Sequence, residues 1–128
     1  MATDTQAMLE QMRTARGYLY PSHELAAELD PQFMEVFNRL AGLSLLHEGV
    51  DSSDAALDTK QRELIVIGIL AARGGSAVSH MRRAIRFGAT EKEIFEVGKA
   101  AMVPAGAPAF LSVVNGLLQL RADAEAVS

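Results

Sequence analysis

The chain has 128 residues, no cysteine and a formal net charge of −4. That length fits one domain, and the missing thiols exclude disulfides, thiolate metal sites and thiol catalysis. The negative balance, with no long basic run, argues against nucleic acid and anionic membrane as partners.

Apolar residues make up 49% of the chain but aromatics only 5%, and there is no Trp. A chain of this size buries only about two-thirds of the surface that its unfolded form exposes. So high an apolar content predicts that other copies cover part of the surface, making a homo-oligomer. The N-terminus, Met1-Ala-Thr-Asp-Thr-Gln6, is polar and lacks a signal-peptide pattern, so the cytoplasm is the simplest location. The longest uncharged run, Ala100 to Leu120, is broken by Pro104, Gly106, Pro108, Asn115 and Gly116. It reads as a buried turn and helix, not as a bilayer span.

In chain order the pattern is helical nearly throughout. A first helix is predicted over Thr5 to about Arg16, ended by Gly17, Tyr18 and Pro21, with a short helical turn over Ser22 to Leu29. Asp30-Pro31 supplies an N-cap and a proline at the first helical position. The helix it opens carries Phe33, Met34, Phe37, Leu40 and Ala41 at the spacing of one buried face, and should end near His47-Glu48-Gly49. Val50 to Leu57 is a polar loop. Asp58 or Thr59 caps the next helix, whose body Leu64 to Ala72 is apolar all round and should therefore be central.

Gly74 and Gly75 end that helix. Ser76 is placed to cap a helix that holds His80 and stops at Gly88. Thr90-Glu-Lys-Glu93 is a capping box that opens a helix through about Met102. Pro104 to Pro108 reads as a turn, Pro108 starts a last helix to about Arg121, and Ala122 to Ser128 reads as a frayed tail. Short helices and tight connections predict an all-α fold, a compact bundle in a single domain over 1–128.

His80 leads the candidate site residues. Ala77, His80, Ala84 and Phe87 form one stripe of their helix, Val78, Met81 and Ile85 the neighbouring stripe, and Arg82 and Arg86 the opposite side. The imidazole therefore faces inward, where it is either a core histidine with a hydrogen-bond partner or a catalytic group. Glu63, in the first turns of the apolar helix, either serves the helix dipole and pairs with Lys60 or Arg62, or forms a proton-shuttling pair with a histidine. Arg73 ends the apolar helix, where a cation suits the dipole; it is also a candidate anchor for a carboxylate substrate, as is Arg83. His47 and His23 are weaker candidates, each at a helix end or turn. Three separated histidines without HxH or HExxH spacing do not make a metal site, and Gly74-Gly75 follows a helix, so it is not a phosphate loop. Nothing in the residue pattern calls for a cofactor.

From Leu57 to Leu117 the chain resembles the carboxymuconolactone decarboxylase family, which includes the alkyl hydroperoxidase D-like proteins. Leu57-Asp-Thr-Lys-Gln-Arg-Glu-Leu-Ile65 is similar to the family's lead-in to its central helix. His80-Met-Arg-Arg-Ala84 and Gly88-Ala-Thr-Glu-Lys-Glu-Ile94 match its signature H-x3-A-x3-G-(A/L)-T-x-x-E-I. The peroxidase branch carries C-x-x-C-x-x-x-H; aligned on His80, its cysteine positions fall on Arg73 and Ser76, which cannot form a thiolate. Thiol peroxidase chemistry is therefore not expected.

The resemblance implies an all-α, oligomeric fold, trimeric or hexameric. It also implies a cofactor-independent lyase of the decarboxylase type acting on a small carboxylated or lactone-like metabolite, as in aromatic-compound catabolism. In that reading His80 and Glu63 are catalytic, and Arg73, Arg83, Ser76 and His47 bind substrate. Two alternatives stay open: a non-catalytic oligomeric ligand-binding module of the same fold, and an isomerase or retro-aldol lyase using the same pocket.

Overall fold

The computed structural model describes residues 4–46 and 53–127, and every regular element among them is helical. The chain divides into two internally packed units, residues 1–55 and 56–128.

The first unit holds α1 (Thr5–Arg16), α2 (Pro21–Leu29) and α3 (Pro31–Ala41), followed by a π-helical turn, Gly42–Leu46. Asp4 caps α1 by accepting a hydrogen bond from the Ala7 amide at 3.0 Å, and Gly17 ends it in the left-handed conformation. Asp30 closes α2 and opens α3, its carboxylate accepting from the Phe33 amide at 3.0 Å with Pro31 just inside the helix. Leu9, Met12, Ala27 and Met34 form the core of this unit. Of the expected apolar face on α3, only Met34 is buried; Phe33 and Leu40 are mostly exposed and Phe37 partly so. Within the unit, α1 and α2 cover just the Met34 side. The predicted end of this helix at His47 to Gly49, and His47 itself, lie outside the described residues.

The second unit is a four-helix bundle: α4 (Thr59–Ala72), α5 (Val78–Arg86), α6 (Glu91–Ala105) and α7 (Ala107–Val127). Asp58 and Gln61 form a reciprocal capping box on α4, with bonds of 2.8 and 2.9 Å, so Asp58 and not Thr59 is the cap. Thr90 and Glu93 do the same for α6, both bonds at 3.0 Å. Such caps satisfy amide groups that the first helical turn leaves without partners. Gly74, at φ +75°, lets the chain leave α4 in a conformation costly for any residue with a Cβ.

Helix α4 packs against α5, α6 and α7, which makes it the central helix of this unit. Ile67 and Ala71 on α4 meet Met81, Ala84, Ile94 and Val113 from the other three helices in one buried cluster. Gly98 lets α6 approach α7 closely; a Cβ there would stand 3.0 Å from that of Val113.

Three boundaries differ from expectation. Ser76 does not cap α5: it is exposed, and the cap position falls on Ala77, whose burial in the core sets where the helix begins. Pro104 lies inside the last turn of α6, where it has no N–H to donate, and Gly106 closes the helix by donating to the Met102 carbonyl at 2.8 Å. The expected frayed tail is helical to Val127. Alanines favour helix there, and Asp123 ties the turn by accepting from Gln119 at 2.8 Å and from Arg82 at 2.9 Å. No helix among the described residues is long and apolar enough to cross a membrane.

Candidate functional site

The most unusual feature of the second unit is a carboxylate in its interior. Glu63 is fully buried, on the same face of α4 as Ile67 and Ala71. An ionised carboxylate there carries a desolvation cost of several kcal/mol that only close partners can offset. Both partners come from α5. His80 Nδ1 lies 2.8 Å from Glu63 Oε2, and Arg83 Nε lies 3.0 Å from Oε1. The Nε–H bond of Arg83 is not aimed at the oxygen, so that contact is an ion pair and not a hydrogen bond.

Helical geometry explains why two residues of α5 can reach one carboxylate. Positions three apart lie on one side of a helix, so His80 and Arg83 present their side chains one turn apart to the same spot on α4. The turn from Arg73 to Ala77 reverses the chain between the two helices and brings residues 17 apart in sequence into contact. Exposure then grades across the cluster: Glu63 0%, Arg83 7%, His80 22%. The imidazole is the member that meets the surface. Because an ionised carboxylate only accepts hydrogen bonds, a neutral His80 must donate its Nδ1–H to it, leaving Nε2 as an acceptor. Among the described residues no partner of Nε2 is present.

The structure brings together Glu63 and His80, one of the two pairings open to this carboxylate in sequence, and adds Arg83, a candidate substrate anchor. The available signal was the three-residue step from His80 to Arg83. The bland pairing of Glu63 with Lys60 does not occur: Lys60 instead contacts Glu93 at 3.0 Å across α4 and α6. That contact, through a hydrogen bond from the Lys60 ammonium, holds the Glu93 carboxyl below the ordinary carboxylate range.

The remaining candidates sit elsewhere. Arg73 is exposed at the C-terminal end of α4. Ser76 lines a cavity of about 710 Å³ with Gly75, Ser112 and Asn115, which Glu63 and His80 do not line. His23 belongs to an aromatic cluster of the first unit, 5.3 Å from the Tyr20 ring and 5.9 Å from that of Phe37. The apolar wall expected from Ile65 to Ala72 is split. Ile67 and Ala71 are in the core, while Ile65, Ile69 and Ala72 line an exposed groove with Val97, Ala101 and Pro104. A helix turns about 100° per residue, so one apolar run cannot present every residue to the same neighbour. Among the described residues, no three His, Asp or Glu side chains are grouped so as to hold a metal ion.

Comparison with known proteins agrees with this architecture. A solved structure, described as a "putative carboxymuconolactone decarboxylase" from Burkholderia xenovorans LB400, superposes with a TM-score of 0.72 at 21% identity, over 97% of this chain and 98% of that one. No curated protein matches the chain in sequence at a significant level. The model of the carboxymuconolactone decarboxylase family matches residues 31–118, which span α3 through most of α7 and include Glu63, His80 and Arg83. The chain therefore belongs to the carboxymuconolactone decarboxylase family, a membership that supports enzymatic activity of a decarboxylase or lyase kind.

Proposed function

We propose that the protein is a cofactor-independent carbon–carbon lyase that decarboxylates a small carboxylated or lactone-type metabolite by proton transfer at His80. The observation that supports this reading most is the 2.8 Å contact between a partly exposed imidazole and a fully buried carboxylate. Decarboxylation next to a carbonyl breaks the bond to the carboxylate carbon and leaves its electron pair on the substrate as an enolate. CO₂ departs, and a proton must then be delivered to carbon. His80, charged through its Nε2, is the donor, and it also stabilises the enolate oxygen before transfer. Glu63 holds the ring in place through Nδ1 and stabilises the imidazolium form. Solvent returns the proton.

Arg73, exposed beside the turn that leads to His80, is the proposed anchor for the substrate carboxylate, with Ser76 in the same turn. Other copies of the chain are proposed to cover the exposed apolar faces of α3 and α4, in a trimer or hexamer. Neither Arg73 nor Ser76 can replace a redox cysteine pair, so a thiol peroxidase reaction is not proposed.

The direct test supplies purified protein with γ-carboxymuconolactone and a panel of related acids and measures released CO₂. Turnover that His80→Ala abolishes supports the proposal. Full activity of His80→Ala, or no turnover across the panel, sinks it. Tight ligand binding without turnover would instead identify a binding module, and solvent deuterium incorporation without CO₂ would identify an isomerase-like reaction.

A further inference from the structure

The cluster contains one charged group that proton transfer does not use. Arg83 is 7% exposed, with its Nε 3.0 Å from Glu63 Oε1 and a terminal nitrogen 3.4 Å from His80 Nδ1. A guanidinium cannot accept a hydrogen bond and does not lose its proton in proteins. It is a permanent positive charge held against the far oxygen of the carboxylate that His80 uses.

This has a consequence for the imidazole. Nδ1 faces two groups, the Glu63 carboxylate at 2.8 Å and the Arg83 guanidinium at 3.4 Å. If Nδ1 carried the lone pair it would accept from Arg83, and Glu63 could approach at 2.8 Å only by bringing a proton of its own. If Nδ1 carries the proton, it donates to Glu63 and the Arg83 approach is packing. A fixed cation at 3.0 Å from Oε1 favours the anionic carboxylate and so decides between the two arrangements. Among the described residues, the charged groups in contact with the ring are Glu63 from α4 and Arg83 from α5 itself. On α7, which also packs on α5, Asp123 pairs with Arg82.

We propose that Arg83 is a positioning residue and not a substrate anchor: it supplies the countercharge of Glu63 and thereby fixes His80 as the Nδ1–H tautomer, with Nε2 presented to the ligand. The inference builds on the Glu63–His80 reading above. It also separates two arginine roles that look interchangeable in sequence. Arg83 sets the state of the acid–base group, and the substrate's negative charge must be met elsewhere.

The experiment uses the full chain labelled with ¹⁵N at histidine and reads the tautomer of neutral His80 from long-range proton–nitrogen correlations, without substrate. Wild type is expected to show a protonated Nδ1 and a bare Nε2. Arg83→Met is expected to lose that preference, giving a mixture or a reversal as the carboxyl takes up the proton. Arg83→Lys, which keeps the cation, should retain it. With a turned-over substrate, Arg83→Met should lower kcat at least tenfold and leave KM within about twofold. A wild-type Nε2–H tautomer, an unchanged tautomer in Arg83→Met, or a tenfold rise in KM at constant kcat overturns the proposal.

Should Arg83→Met fail to fold, Arg83→Lys carries the test. An unchanged tautomer and KM support positioning, whereas a tenfold higher KM marks the arginine as an anchor whose planar fork was needed. Because the tautomer is read without substrate, a wild-type Nδ1–H form in a protein that turns nothing over would sink the lyase reading and leave this inference standing.

Discussion

Two faces of α4 are built on opposite rules. One face sends Glu63, a charged residue, fully into the interior beside Ile67 and Ala71. The other leaves Ile65 and Ile69 about half exposed, at 48% and 53%, over an apolar groove. Hydrophobicity alone would assign them the other way round. The contrast shows that burial in this helix follows what the neighbouring helix supplies. Helix α5 supplies an imidazole and a guanidinium, which make a buried carboxylate tolerable, while nothing in the described second unit covers the two isoleucines. The charge retained inside this bundle is held by two partners from a single neighbouring helix.

The comparison can be broken first at the polar face. His80→Ala should reduce turnover by roughly 10²- to 10⁴-fold, the usual loss when a general acid or base is removed; steady-state CO₂ release measures it. Glu63→Ala should cost about 3–5 kcal/mol of stability, because it leaves the Arg83 guanidinium buried without its counterion. Denaturant unfolding reads that cost, and a loss below about 1 kcal/mol would mean that the buried pair contributes little.

Two isoleucines two positions apart on α4 sharpen the contrast. Ile67→Ala, at a fully buried position, should cost about 2–5 kcal/mol. Ile69→Ser, on the exposed face, should stay within about 0.5 kcal/mol. A comparable cost at Ile69 would show that another surface covers it, and light scattering of the same samples would show whether that surface is a second copy.

The smallest effect expected is at the solvated end of the bundle. There a side-chain hydrogen bond from Arg121 holds the Glu91 carboxyl below its ordinary range. A depressed value in the folded state means stabilisation that is present at neutral pH and lost as pH falls through that value. Both side chains are well exposed, so the effect is small. Acid-unfolding curves of wild type and Arg121→Gln should separate slightly near neutrality and converge once the pH has fallen through the depressed Glu91 value.

Much of the helical order was readable because its signals are local. The Thr90 to Glu93 capping box, the Asp30-Pro31 start and the glycines after α4 act within a few residues of chain, and each stands where the sequence placed it. The boundaries that moved depend on distant contacts. Ser76 yields the cap position to Ala77 because Ala77 is drawn into the core, and the C-terminal helix runs on because Asp123 meets Arg82, 41 residues away. The apolar face of α3 was visible as a pattern, but a pattern does not say what will cover it, and Phe33 and Leu40 stay exposed.

The candidate site divides in the same way. Sequence by itself determined that the chain is helical, that it has no thiol chemistry, that His80 lies on the inward stripe of its helix, and that its signature is that of the carboxymuconolactone decarboxylase family. The first three conclusions rest on composition and helical period, and the last on a resemblance in motif; all are properties of the chain alone. Only the tertiary structure decided that Glu63 is the partner of His80 and that Arg83 faces that carboxylate. Which side chains share a buried space depends on how two helices pack across a turn, and a buried charge selects its partners by distance and not by position in the sequence.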